Sequence, residues 1–398
     1  MLSKQLLAIP GLMTREEMEL LGCMARSARS IIELGSYKGR SLALMGLASP
    51  GACLWGVDWF GDMSYRGYKG STEAETQANL AKIGVKAELL VGLTHEVAPT
   101  FTETADLLHI DAGHSYEEAT RDLNDWTPKV NPGGGLCVHD YGHAHKAQLD
   151  RPEVMRAVDD WRNENWTEVE HAGTMIAFRH LVAERGALYV VYGEKAREQA
   201  LESIATVREY APELPIAVVS DRPLEGADYQ IYHVDADPGA RTIKTRMYSL
   251  SPFRETMFLD ADTRLLQDPA AGFDLLKYAD VVLSQDPVRI FADQTWPHLD
   301  PQEVKTTRAE VPAGGRLCYW NSGVVFFGRS IRAKELFQAW HAEWQRWGKH
   351  DQMALLRALH KHPVRMVAVR ECWNTHKKAL AQFVFHNHRT ARREGAPG

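Results

Sequence analysis

Two parts of the chain hold side chains whose types and spacing could do chemistry. In Met257-Phe258-Leu259-Asp260-Ala261-Asp262-Thr263, an apolar run ends in two carboxylates one residue apart. If Met257 to Leu259 close a buried strand, both carboxylates emerge on one side of its C-terminal end, where α/β sheets bind ligands. Carboxylates that close repel unless a cation lies between them, and a divalent metal holding a diphosphate meets that need. A bare Asp-x-Asp is more commonly a solvated turn or helix cap, so context decides. The second part joins Leu107-Leu108-His109-Ile110-Asp111-Ala112-Gly113-His114-Ser115-Tyr116 to Leu136-Cys137-Val138-His139-Asp140. Two apolar strands end in Asp111 and in His139-Asp140, with His114 three residues past the first. One such histidine would ordinarily be structural. Acids and imidazoles at two corresponding strand ends point instead to a hard-metal site beside a base.

The elements that must position these residues follow an α/β alternation. The opening residues to about Ser30 read as helical, with Thr14 as N-cap and Glu16 and Glu17 in an acidic first turn. Ser30 to Leu34 reads as a strand, and Gly35 and Gly39 punctuate the turn into a helix over Leu42 to Ala48. Those glycines would let backbone pass close to a ligand at a helix start. The strand Leu54 to Val57 ends in Asp58, about 20 residues on, where an acid commonly bonds ribose hydroxyls. A helix with Ala119, Leu123 and Trp126 on one face follows His114, and Pro132-Gly133-Gly134-Gly135 leads into the strand at Leu136.

The pattern restarts near Leu181 to Gly186. Strands are expected at 187–192 and 215–220, with a helix over 194–210 between them, and a further helix around Ile243 to Leu250 carries Lys244 and Arg246. Residues 285–317 read as a long irregular segment suited to acceptor binding. Trp320-Asn321-Ser322-Gly323 leads an apolar strand, and Asp351-Gln352 opens a helix. Trp340, Trp344 and Trp347 share a helical face, which signals core packing.

The 398 residues suffice for two domains; 44% hydrophobic and 25% charged residues describe a globular chain with ample core. The net charge of −6 gives no support to a nucleic-acid partner. The clearest basic run is Arg389 to Arg393. Five scattered cysteines without a C-x-x-C pair argue against a disulfide framework or structural zinc. No secretory leader or membrane span is evident, so a cytoplasmic location is expected.

On Glu33-Leu34-Gly35-Ser36 with Gly39 and Ser41, Asp58, Ile110 to Tyr116, and Gly133-Gly134 through Asp140, the first half resembles class I S-adenosylmethionine-dependent methyltransferases. Within them it is similar to the metal-dependent branch that methylates sugar hydroxyls. The resemblance implies that Glu33, Gly35, Ser36, Gly39 and Asp58 bind S-adenosylmethionine. Asp111 and Asp140 would hold Mg²⁺, His139 would take the place of a carboxylate in that set, and His114 would be the base.

On Val190-Val191-Tyr192, Arg246, Phe258 to Thr263, Asn321-Ser322-Gly323, Asp351-Gln352 and His386, the second half resembles glycosyltransferases of the GT-A fold. That implies Asp260, Asp262 and His386 as ligands of Mn²⁺ or Mg²⁺, with His388 as a substitute for the histidine. Lys244 and Arg246 would contact phosphate, Val191, Tyr192 and Asn321 would border the donor, and Asp351 would face the sugar or acceptor. The expected architecture is therefore two Rossmann-like α/β domains. A class I methyltransferase fold spans 1–183, and a GT-A nucleotide-diphospho-sugar transferase fold spans 187–398. The expected function is bifunctional glycan modification: sugar transfer from a nucleotide-sugar, with UDP implied, onto a hydroxyl-bearing acceptor, plus O-methylation. The alternatives are sugar transfer with a methyltransferase-like scaffold, and a non-enzymatic carbohydrate-binding protein.

Overall fold

The computed structural model describes residues 3–26, 28–61, 72–142, 152–232, 240–293 and 299–387; His388 and the basic run at 389–393 lie outside them. The chain divides into two units, one covering Met1–Val182 and the other Ala183–Ile231 with Asp235–Gly398. Each is an α/β unit built on a mixed seven-stranded sheet. Among the described residues, no helix is long and apolar enough to cross a membrane.

The first unit begins with helices α1 (Lys4–Leu7) and α2 (Arg15–Ala25), then β1 (Ser30–Leu34), α3 (Arg40–Ala48) and β2 (Cys53–Asp58). It continues with α4 (Glu73–Ile83), β3 (Glu88–Val91), α5 (Thr94–Val97), β4 (Ala105–Ile110) and α6 (Tyr116–Trp126). β5 (Val130–Val138), α7 (Pro152–Trp161), β6 (Trp166–Ala172) and β7 (Met175–His180) complete it. The sheet order is β3-β2-β1-β4-β5-β7-β6. β1 to β5 run parallel, and β7 lies antiparallel to both β5 and β6. The chain leaves β1 toward β2 but leaves β4 toward β5, so a crevice opens at the C-terminal ends of β1 and β4. Reciprocal capping starts the helices that flank it. Thr14 and Glu17 cap α2, and Ser115 and Glu118 cap α6, each pair satisfying amides that a helix start leaves orphaned. Ala119, Leu123 and Trp126 form the buried face of α6, as their spacing predicts. β5 starts six residues ahead of Leu136, running through the glycines; Arg179 on β7 caps the Gly133 carbonyl at 3.1 Å.

The second unit opens with β8 (Ala183–Val191), α8 (Glu194–Tyr210), β9 (Ile216–Ser220) and β10 (Tyr229–Tyr232). Then come α9 (Ala240–Lys244), α10 (Met247–Leu250), β11 (Phe253–Leu259), β12 (Thr263–Leu265) and α11 (Ala270–Leu275). β13 (Val281–Ile290), α12 (Pro301–Glu310), β14 (Cys318–Gly328), α13 (Ile331–Gln345), α14 (Asp351–Lys361), β15 (Met366–Val369) and β16 (Val384–His386) follow. The order is β10-β9-β8-β11-β14-β13-β15, with β12 and β16 forming a small antiparallel pair. β8 and β11 are the parallel neighbours from which the chain departs in opposite directions, which places the crevice at Val191 and Leu259.

Three expectations change here. β8 begins four residues before Ala187. The segment 285–317 is not irregular throughout: β13 continues to Ile290, and Asp300 accepts the amides of Gln302 and Glu303 at the start of α12. Asp-Pro at 300–301 is an N-cap followed by proline in the first turn, a start signal hidden among loop-forming neighbours. The helix over 243–250 is two short helices. Between them Thr245 donates to the Thr242 carbonyl, and Lys244 turns inward to a 7% exposed position.

Asp122 on α6 shows how tightly the first core closes. It is 2% exposed, accepts from the Thr94 hydroxyl at 2.5 Å, and its Oδ2 has no hydrogen bond. Burial raises its pKa to about 6. A carboxyl whose folded pKa lies above its unfolded value stabilises the fold below the unfolded pKa, and that contribution disappears as pH rises through about 6. Asp122→Asn is expected to raise stability at pH 8 by about 1–3 kcal/mol and to flatten the stability profile between pH 4 and 6, read by urea unfolding across pH.

Candidate functional site

Each unit gathers one cluster of acids and imidazole at its crevice. In the first unit, β4 delivers Asp111 and β5 delivers His139 and Asp140. The ligand-capable atoms of these three all lie within 4.8 Å of one another. Asp140 adopts φ 60°, a left-handed conformation that aspartate tolerates better than most residues. His139 Nδ1 stands 3.4 Å from Asp111 Oδ1 and 3.3 Å from Asp140 Oδ1. His114, reached from the Asp111 loop, places Nε2 2.8 Å from Asp140 Oδ2. A small cavity beside them is lined by Asp111, His114, His139, Leu123 and Val154. Burial disfavours charge on His139, but the carboxylates of Asp111, Asp140 and Glu17 outweigh it and raise its pKa well above the ordinary value. Burial likewise opposes charge on Asp140, yet the two imidazoles hold its pKa far below the usual range.

The expected cofactor residues line the neighbouring turn. Gly35 (φ 86°) lies so close to the other strand end that a Cβ there would stand 2.0 Å from the Asp111 carbonyl oxygen. Gly39 (φ 81°) caps α3. Asp58 accepts the amides of Tyr37 and Phe60, both at 2.8 Å, and so ties the glycine turn to the end of β2. Ser36 and Glu33 are buried; Glu33 faces His109 at 3.1 Å, and the Ser36 hydroxyl and Glu33 Oε2 have no hydrogen bond.

In the second unit, the ligand-capable atoms of Asp260, Asp262 and His386 lie within 4.8 Å of one another. β11 ends at Leu259, so Asp260 and Asp262 emerge at its C-terminus; β16 brings His386 alongside by pairing with Thr263. His386 Nε2 is 2.8 Å from Asp262 Oδ1 and 3.9 Å from Asp260 Oδ2. Its Nδ1 bonds the fully buried Asn374 Oδ1 at 2.9 Å. With the Nδ1 proton on that bond, Nε2 turns a lone pair toward the Asp262 oxygen, a contact that needs a cation or proton between them. Gly323 makes the approach possible, because a Cβ there would stand 2.5 Å from His386 Cε1 and 2.8 Å from Asp260 Oδ2.

Lys244 and Asp351 join the same cluster. Lys244 Nζ lies 2.9 Å from Asp260 Oδ1 and 3.0 Å from Asp351 Oδ2, and donates to Ser322 Oγ at 3.1 Å. Burial opposes its charge, but the two carboxylates raise its pKa. Burial opposes ionisation of Asp351 too, yet Lys244, His350 and the Ser322 hydroxyl keep it strongly lowered. Arg246 starts α10, and its charge, after burial, helps to lower His341 to about 4. Asn321 Oδ1 accepts the Gly323 amide at 2.9 Å. Val191 is fully buried, leaving only its backbone to face a ligand; Tyr192 is half-buried at the strand end.

Both histidine sets fit a divalent metal by donor chemistry: two carboxylates and an imidazole. In the first, both ring nitrogens of His139 are buried without a hydrogen bond; in the second, Asn374 orients the ring. Sequence reasoning missed Asn374 and also Glu17, whose Oε2 lies 3.4 Å from His139 Nε2. Glu17 carried only a capping signal, and Asn374 carried none.

Residues 32–141 match the family model for a methyltransferase domain, and residues 254–394 match that for a nucleotide-diphospho-sugar transferase. The chain carries both domains and is a transferase. Among solved structures it is similar to the O-methyltransferase NovP, at 18% identity over 42% of this chain and 79% of that one, with a TM-score of 0.36. The O-methyltransferase TomG from Streptomyces achromogenes, involved in tomaymycin synthesis and solved with SAM, is 19% identical over 42% and 81%, with a TM-score of 0.34. An O-methyltransferase from Bacillus cereus in complex with SAH is 12% identical over 43% and 84%, with a TM-score of 0.35. No curated protein sequence matches the chain.

The packing around Gly323 is testable without a ligand. Gly323→Ala inserts a methyl group where His386 and Asp260 already stand, so stability is expected to fall by about 1–3 kcal/mol, measured by thermal and denaturant unfolding. An unchanged midpoint would show that the cluster is looser than these distances.

Proposed function

With a methyltransferase domain joined to a nucleotide-diphospho-sugar transferase domain, we propose a bifunctional glycan-modifying enzyme. Its second unit transfers a sugar from a UDP-sugar to a hydroxyl-bearing acceptor, and its first methylates a hydroxyl using S-adenosylmethionine. The observation that carries the reading is the placement of both clusters: each lies at the C-terminal strand ends beside its sheet's crevice.

In the second unit Asp260, Asp262 and His386 would hold Mn²⁺ or Mg²⁺. When bound, that ion supplies charge compensation for the departing diphosphate. Asn374 keeps His386 Nε2 turned toward the aspartates. Lys244 holds Asp260 and Asp351 at fixed separation, so that Asp351 faces the transferred sugar as an ionised acceptor of hydrogen bonds. In the first unit Asp111, His139 and Asp140 would hold Mg²⁺, which would supply positive charge that lowers the proton affinity of an acceptor hydroxyl. Asp140 accepts the Nε2 hydrogen of His114 at 2.8 Å and so orients the ring, leaving the opposite ring nitrogen to take that hydroxyl's proton. The turn at Gly35 to Gly39, braced by Asp58, holds the cofactor. A second reading, sugar transfer with a non-catalytic first unit, draws on one observation: a charged His139 among Asp111, Asp140 and Glu17 already offsets part of their charge.

Calorimetry separates these readings. UDP is expected to bind the full chain only with Mn²⁺ present. The Asp260→Asn/Asp262→Asn double variant should lose at least about a hundredfold in affinity, the upper end of losses from outer-shell partners alone. Metal-independent binding of UDP that survives in the double variant would overturn the donor site. For the first unit, SAH is expected to raise its unfolding temperature; no shift would favour the scaffold reading.

A further inference from the structure

Helix α2 reaches the first cluster through a single side chain that the chemistry above does not use. Glu17 is 2% exposed and its carboxylate is enclosed. Oε1 accepts the Thr174 amide at 2.7 Å and the Thr174 hydroxyl at 2.8 Å. Oε2 accepts the Thr14 amide at 2.7 Å and turns its remaining side to His139 Nε2, 3.4 Å away. The enclosure is shaped for that carboxylate. Gly173 (φ 59°) stands where a Cβ would come within 2.5 Å of Glu17 Oε1.

His139 therefore meets carboxylate at both ring nitrogens: Glu17 at Nε2, Asp111 and Asp140 at Nδ1. The two edges serve different ends. A carboxylate that is already accepting backbone and hydroxyl donors can only accept, so the nitrogen facing it must carry the hydrogen. Nδ1 carries a hydrogen as well while the ring is charged, but it faces the two carboxylates of the metal set, and a metal shared with them would take that hydrogen's place.

We infer that Glu17 is a positioning residue for the metal centre of the first unit, holding the Nε2–H tautomer of His139 so that Nδ1 serves as the metal donor. The inference rests on the metal-centre reading of Asp111, His139 and Asp140. An outer carboxylate on a ligating imidazole fixes the ring's orientation and strengthens the donor, and its loss typically lowers metal affinity roughly 10–100-fold. Metal entry must also displace any proton on Nδ1, and Glu17 keeps the remaining proton on the far side of the ring.

The test is Glu17→Gln in the full chain, made in the Asp260→Asn/Asp262→Asn background so that the second unit's site does not contribute. Glutamine retains an acceptor for Thr174, while its NH2 in the place of Oε2 gives up the bond from the Thr14 amide, a capping loss for which Thr14→Ala is the control. Its amide group turned toward His139 would favour a lone pair on Nε2 and a hydrogen on Nδ1, blocking the donor. Mn²⁺ titration is expected to show affinity at least about tenfold weaker than in the background protein. Nitrogen-15 spectra of labelled histidine in the Mg²⁺-loaded protein should show the Nε2–H form of His139 in the background and lose it in Glu17→Gln, with His139→Gln supplying the assignment. Thr14→Ala removes the helix cap but leaves the Glu17–His139 contact, and should lower the unfolding temperature without changing Mn²⁺ affinity. Equal affinity in Glu17→Gln and the background would overturn the inference, as would an equal loss in Thr14→Ala, which would mark Glu17 as a helix cap alone. If the background binds no Mn²⁺ at all, the metal-centre reading itself falls, an outcome distinct from both.

Discussion

Carboxylates brought together at the ends of buried strands repel one another, and each unit is organised around answering that repulsion. Asp260 and Asp351 are held apart and compensated by Lys244, a buried ammonium within 3.0 Å of both. Asp262 leans on His386, and Asp140 on His114. The geometry is costly to assemble, because each charge leaves water; hydrogen bonds from neighbouring hydroxyls and amides are what make it tolerable. An arrangement of this kind has little structural value by itself, and it is kept where a ligand's charge completes it.

Around the second cluster, support comes from deeper ionic packing. Arg357 on α14 is fully buried and reaches Glu303 on α12 at 3.1 Å, Glu343 on α13 at 2.8 Å and Thr307 at 2.5 Å. Removing one partner from such a group costs about 3–5 kcal/mol, since the others stay buried and charged. Because Asp351 is the first residue of α14, this clamp also sets where its carboxylate stands. The indole of Trp340 donates to the Asp351 carbonyl at 2.8 Å, so a tryptophan predicted as core is core and also a brace.

Much of this was legible in the sequence, in proportion to how local the cause was. Asp260-x-Asp262 and the strand-end Asp111 and Asp140 announced themselves, because an apolar strand that stops at an acid is a short-range pattern. The capped start of α2 is equally local. The helix break at Thr245 was hidden because it is dictated by what Lys244 meets across the fold. Glu17 shows the limit most sharply: its role as a cap satisfied every nearby signal, while Thr174, 157 positions away, decides where its carboxylate points. Asn374 sits in a segment whose composition says nothing, and its contact with His386 exists only after β16 pairs with β12.

The contact between Gly35 and the Asp111 carbonyl has a mechanical consequence. The turn expected to cradle the cofactor and the loop carrying the first acid of the metal set press backbone against backbone, with no side chain between them to absorb a shift. Neither can be displaced by even a methyl group's width without moving the other. Whatever stiffens one rim of the crevice therefore stiffens its opposite rim.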